Sequence, residues 1–368
     1  MKSTVLSVAV GTVLLGASIT GTAAQPSTSF NPLRVEMRAA GAKAGALLGV
    51  VDVVITNTSS NTVRVPKQRL PSDDLEASLF QVSRDGKPVA YEGKLVKRGL
   101  PQAEDFAVLK PGQQYRVQVD LSGAYDLSRS GYYSVTLRSP LQHASVAGQG
   151  AGTGMLKALN GQPLELRSTP LRLWVDGSDQ LGAVLKKGKP GGGGTLVNGI
   201  TYKGCTTTRM NSIDQAITAA RNYTENSKNY LNAGTAGPRY TTWFGSYTSS
   251  RYNTAKQHFT AIDSAMDQNG GQITVNCGCS SSAYAYVYPN QPYEIYVCKA
   301  FWSAPVTGTD SKAGTLVHEM SHFNVVAGTD DVVYGQSGAK NLALTDPNGA
   351  LNNADSHEYF AENNPAQN

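Results

Sequence analysis

Histidine and cysteine are scarce in this 368-residue chain, with five and four copies, so few metal sites or staples can be built from it. All four cysteines (Cys205, Cys277, Cys279 and Cys298) fall in the C-terminal half. The "CGC" at 277–279 lacks the C-x₂₋₄-C spacing of a zinc ribbon, which excludes that reading. Four cysteines allow three pairings, and the sequence alone does not choose among them. Long apolar runs are missing after the first residues, so nothing later is expected to span a bilayer. Basic clusters are missing as well, although the net charge is +5. Residues 25–200 carry 21 Lys/Arg against 14 Asp/Glu, and residues 201–368 carry 10 against 13. The cationic excess is spread thinly through one half, which argues against a nucleic-acid partner and for attraction between a basic and an acidic half.

The first 24 residues read as a secretory signal peptide: Lys2, the apolar run "VLSVAVGTVLLGASI", then small residues before Gln25. The chain is therefore expected to be secreted and extracellular, where disulfides persist. Residues 25–185 read as an all-β, immunoglobulin-like sandwich. Runs such as "GVVDVVITNTSSNTVRV" and "GYYSVTLRS" alternate with turn signals at Asp85-Gly86 and Pro111-Gly112. Its one histidine, His143, is expected at the surface. "LKKGKPGGGGTLVNG" supplies a flexible linker, assigned to residues 186–200. Residues 201–368 then read as α+β, mostly helical with a small sheet. Ile213, Ile217 and Ala220 fall at helical spacing, as do Ala255, Phe259, Ile262 and Met266, while "QITVNC", "YAYVY" and "YEIYVCKAF" alternate as strands. The order suggests signal, pro-segment, linker and catalytic domain.

The chemistry gathers in "HEMSHFNVVAGTDDVVYG", His318 to Gly335. Residues i and i+4 share a helix face, so His318 and His322 can present imidazoles to one metal with Glu319 beside them as a base. With so few histidines, a shuffled chain would contain H-E-x-x-H in roughly one case in several hundred. A third protein ligand is needed. The metzincin pattern fails, because Val325 and Gly328 stand where glycine and histidine are required. Glu358 or Glu362 in "HEYFAEN" could serve, as could Asp330 or Asp331 after the break at Gly328; spacing favours the aspartates without choosing between them.

"HExxH" followed by "GTxDxxYG" resembles the signature of the deuterolysins, or aspzincins, matched here by Gly328-Thr329-Asp330-Asp331-Val332-Val333-Tyr334-Gly335. Together with "RYTTWFGSY", "AFWSAPVTGTDSKAGTLVHE" and "NADSHEYFAENNPAQ", residues 201–368 are similar to the peptidyl-Lys branch of that family. The resemblance implies a zincin-like metallopeptidase holding one Zn²⁺ per chain on His318, His322 and Asp331. It makes Glu319 the base, Tyr334 the transition-state partner, and Asp355 and Glu358 the pocket for a substrate lysine at P1′. It also implies the pairs Cys205–Cys277 and Cys279–Cys298. Protein or peptide substrates containing lysine, the chain's own pro-domain in cis and a monomeric state are expected. His357, between the pocket residues, is read as a buried structural histidine. The family's mature start resembles Thr201-Tyr202, whereas self-cleavage before lysine would favour bonds preceding Lys186, Lys187 or Lys189. The competing readings are a broader-specificity deuterolysin and an inactive secreted binding protein.

Overall fold

Alternating burial builds the N-terminal half: along Val50–Asn57, Val51, Val53 and Ile55 are buried while Asp52, Val54 and Thr56 are only partly so. In the computed structural model, which describes residues 31–40, 49–147, 155–177 and 193–367, that strand pairs antiparallel with Leu33–Ala39 and Gln114–Asp120. Val63–Pro66 lies between Phe106–Leu109 and Ser145–Val146 in a second sheet. The third sheet is built around Gly131–Pro140, which pairs with Phe80–Arg84, Glu165–Arg167 and Leu171–Val175. Their inner faces share one apolar core containing Ile55, Val119, Tyr133, Leu137 and Val175. The half is a β region, as its strand-length runs predict. The expected signal peptide and residues 186–192 of the expected linker, with Lys186, Lys187 and Lys189, lie outside the described residues.

The C-terminal half carries its own core around long amphipathic helices. Thr207–Asn232 and Ser249–Met266 begin where Thr206 and Thr248 cap them, each hydroxyl accepting a backbone N–H three residues on. They bury Ile213, Ile217, Ala220, Phe259, Ile262 and Met266 together. A sheet of six strands runs beside them in the order Thr195–Val197, Ile200–Lys203, Thr274–Asn276, Glu294–Val297, Ala285–Val287 and Leu95–Lys97. The three strands from Ile200 to Val297 are parallel, and Ala285–Val287 runs against them. Cys205–Cys277 and Cys279–Cys298, the pairing the resemblance implies, lie at the C-terminal ends of those parallel strands.

The last strand comes from the N-terminal half. Leu95–Lys97 pairs antiparallel with Ala285–Val287, Lys97 opposite Ala285 and Leu95 opposite Val287. Without it, Ala285–Val287 would be an open edge with unpaired backbone groups. The described residues from Asn31 onward accordingly group as one compact unit.

Candidate metal centre and lysine-filled cleft

The motif lies on the helix Lys312–His322, every residue of which is buried. Ser311 caps it, accepting the Gly314 N–H at 2.9 Å, and the Glu362 carboxylate accepts from both the N–H and the hydroxyl of Ser311 at 2.8 Å. Gly314 is required by that carboxylate: a Cβ there would lie 2.1 Å from Glu362 Oε1. Ala313, Leu316, Val317 and Met320 seat the helix in the core. Gly328, at φ +60°, turns the chain back, a conformation that suits glycine. Thr329 O then meets His322 Nδ1 at 2.9 Å, which puts the proton on Nδ1 and leaves Nε2 as a free lone pair.

Three buried side chains converge from this turn. Asp331 Oδ1 lies 3.1 Å from His318 Nε2 and 3.5 Å from His322 Nε2. None of these nitrogens, nor either Asp331 oxygen, has a hydrogen-bond partner among the described residues. Unpaired buried polar atoms are costly, and a cation shared by two imidazoles and a carboxylate would satisfy all three. The donor set therefore fits a metal of the zinc type. In the metal-free site burial would raise the Asp331 pKa, but His322 and His318 in their protonated form outweigh it and hold the carboxyl well below its usual range. The other sequence candidates are engaged elsewhere. Asp330 accepts from the Asp331 N–H at 2.8 Å, and Glu362 caps the helix. Asp355 and Glu358 approach His318 on its other nitrogen, at 2.9 and 3.3 Å from Nδ1. These two and His318 form a second convergent group, but an ammonium already occupies it.

That ammonium belongs to Lys97, whose Nζ lies 2.5 Å from Glu358, 3.7 Å from Asp355 and 3.5 Å from Asp310. Its side chain is 1% exposed. Burial would lower its pKa, but Glu358, Asp355 and Asp310 together raise it well above the ordinary lysine value, so it is charged. Asp355 is held low in turn: burial pushes it up, and Lys97 and His318 outweigh that. Around the ammonium, the backbone is fixed on both sides. The Tyr334 hydroxyl donates to Val96 O at 2.9 Å, and the Tyr284 N–H donates to Lys97 O at 3.0 Å. Glu319, fully buried, has both carboxylate oxygens unpartnered among the described residues; burial pushes its pKa up to about 7 against the pull of His318 and His322.

Four participants escaped the sequence reading. Lys97 carries no motif that marks it in the sequence. Asp310 sits at the rim of the pocket, where the Tyr359 hydroxyl donates to it at 2.7 Å, and only its loop "GTDSK" was noted. Arg69 and Gln142 come from the β region and clasp the metal-side loop. Arg69 lies over the Tyr334 ring at 5.0 Å, and Gln142 accepts from Tyr334 N at 2.8 Å while donating to Tyr334 O at 2.6 Å. Their signal was only the opposite charge of the two halves. His143, expected at the surface, is half-buried beside Gln142. His357 is fully buried, 3.0 Å from both His258 Nδ1 and Asn353 O, and burial holds it neutral by lowering its pKa to about 3.

Residues 229–362 match the Aspzincin_M35 family, described as lysine-specific metallo-endopeptidase. An extracellular protease of Aeromonas hydrophila is 48% identical over 321 residues, 86% of this chain and 89% of the relative. The peptidyl-Lys metalloendopeptidase of Grifola frondosa is 39% identical over 336 residues, 86% of this chain and 88% of that protein. The enzyme of the same name from Pleurotus ostreatus is 51% identical over 168 residues, 45% of this chain and 98% of that protein.

Proposed function

The chain belongs to the aspzincin family of metallo-endopeptidases, and on that premise we propose that it is a secreted zinc enzyme, made as a latent precursor, that cuts peptide bonds on the amino side of lysine. The observation that carries the specificity is the buried Lys97 ammonium among Asp355, Glu358 and Asp310. A small, partly dry pocket with this much negative charge favours a cation strongly and selects by charge as well as shape.

His318, His322 and Asp331 would hold the Zn²⁺. When bound, the ion supplies Lewis acidity, making water a better nucleophile near neutral pH and polarising the carbonyl to be cut. Glu319 accepts a proton from the attacking water and returns it to the leaving amine. The Tyr334 hydroxyl, which already donates to a carbonyl oxygen, stabilises the charge that grows there. Substrate backbone adds to the edge strand Ala285–Val287, and the carboxylate pocket fixes which residue follows the cut. The pro-domain reading fits this scheme, since Leu95–Lys97 of the β region covers that edge.

Digestion of a denatured protein tests this directly. New N-termini read by mass spectrometry should begin with lysine, and EDTA should stop the reaction; termini spread over many residue types would refute the specificity. Asp355→Asn in the processed enzyme should lower kcat/KM on lysyl peptides by on the order of 10²-fold, about 3 kcal/mol, because it removes one partner of a buried charge pair. Peptides lacking lysine should change by less than about threefold. Equal losses on both would remove Asp355 from the pocket.

The seat of Lys97 is almost fully buried, so salt should hardly reach it. Raising ionic strength from about 0.1 M to about 1 M shortens the Debye length from about 10 to about 3 Å, which weakens exposed pairs and spares buried ones. We expect the precursor to exclude a lysyl peptide equally well at both concentrations. Binding that appears only in high salt would mean that surface charge holds the halves together.

A further inference from the structure

Residues 95–97 lie in the cleft as a substrate would. The strand runs antiparallel to Ala285–Val287 in continuous register, so its main chain is held as a sheet extension. Both sides of one peptide bond are fixed: Tyr334 Oη holds Val96 O at 2.9 Å, and Tyr284 N holds Lys97 O at 3.0 Å. The side chain after that bond fills the carboxylate pocket. Leu95, Val96 and Lys97 are each no more than 3% exposed, so no second molecule can reach the bond while the strand stays in place.

We propose that the Val96–Lys97 bond is the enzyme's first substrate, hydrolysed within the same chain, and that the precursor is latent because this strand occupies its site. The inference rests on the lysine reading given above. The step is simple hydrolysis. Water oxygen bonds to the Val96 carbonyl carbon while Glu319 takes a proton from that water. The C–N bond to Lys97 then breaks, and Glu319 passes the proton to the departing amine. Val96 ends as a carboxylic acid that gives its proton to solvent, and Lys97 as a new N-terminus.

Other bonds are placed worse. Ile200–Thr201, before the mature start that the family resemblance suggests, lies inside a strand paired on both sides, with Ile200 1% exposed. The nick itself would not release the β region. Val50–Asn57 pairs with Gln114–Asp120, and Phe80–Arg84 with Gly131–Pro140, so strands from both sides of the cut interleave. The two pieces separate only on denaturation.

The test uses the full chain, purified with chelator and then given Zn²⁺. Denaturing intact-mass measurements should show fragments ending at Val96 and starting at Lys97, appearing with first-order kinetics whose rate does not change with protein concentration. Glu319→Gln should stay whole. Lys97→Ser should lose this cut and open the site. In metal-free Glu319→Gln protein, an end-blocked Leu-Val-Lys-Arg peptide should bind by calorimetry only when Lys97→Ser is also present. A parent chain that remains intact at this bond after Zn²⁺ loading overturns the proposal, as does a nicking rate proportional to concentration. If Lys97→Ser cuts added peptides before lysine while the parent never nicks, only the self-cleavage fails. Cuts before other residues would instead sink the lysine reading.

Discussion

Glu319→Gln is expected to lower kcat on a lysyl peptide by about 10³-fold or more while leaving one equivalent of metal bound. The change keeps size and shape and removes the one group able to take a proton at the buried end of the cleft. His318, His322 and Asp331 are untouched, so metal content separates loss of the base from loss of the site. Stability should move the other way. A carboxylate buried with both oxygens unpartnered is strained by its own charge, and burial already pushes its pKa to about 7. A neutral amide there costs less to bury, so the metal-free variant should unfold at a higher temperature than its parent. Activity within tenfold of the parent would require another base, since the two imidazoles of "HEMSH" would be committed to the metal.

The catalytic half was legible because its signals are local. Helical spacing of Ile213, Ile217 and Ala220 needs only the neighbouring sequence to mean what it does, and the helix Thr207–Asn232 buries those residues. The same holds for His318 and His322, one turn apart on a helix whose capping residue Ser311 precedes it by a single position. Choosing Asp331 over Asp330 was not local: both are compatible with spacing, and the family resemblance made the choice. In the folded chain the two carboxylates part, one toward the imidazoles and one onto its own loop.

What stayed illegible depends on contacts across roughly two hundred residues of chain. "LVK" at 95–97 has three residues, too few to show a period, and a lysine in a basic half reads as solvated. Only docking against Ala285–Val287 makes it a strand, and only Asp355 and Glu358 make its charge a buried one. The clasp by Arg69 and Gln142 is hidden for the same reason, since its partners are backbone groups of Asp331, Val332 and Tyr334, which sequence patterns do not mark. The separation into a basic and an acidic half announced attraction without naming where it acts.

Asp331→Ala should cost more metal affinity than any other substitution outside the two histidines. Outer partners of a metal ligand contribute about 10–100-fold, so removal of a ligand should exceed about 10²-fold in competition with a chromophoric chelator. Asp330→Ala makes the contrast, because it removes a neighbouring carboxylate of equal charge. Asp330 braces the turn, accepting from Asp331 N, while its backbone pairs with Asn352 and Ala354. Losing its side chain leaves a backbone N–H unpaired and should cost about 1–3 kcal/mol of stability with metal still bound. Glu358→Gln extends the comparison to the second convergent group, where metal should be retained and lysine preference lost. If Glu358→Gln released the metal as readily as Asp331→Ala, the ion would have to sit on the Nδ1 side of His318. The pocket carboxylates could then not serve lysine. Metal titrations on these three variants thus decide between one cation site beside a lysine pocket and a single site that spends its carboxylates on metal.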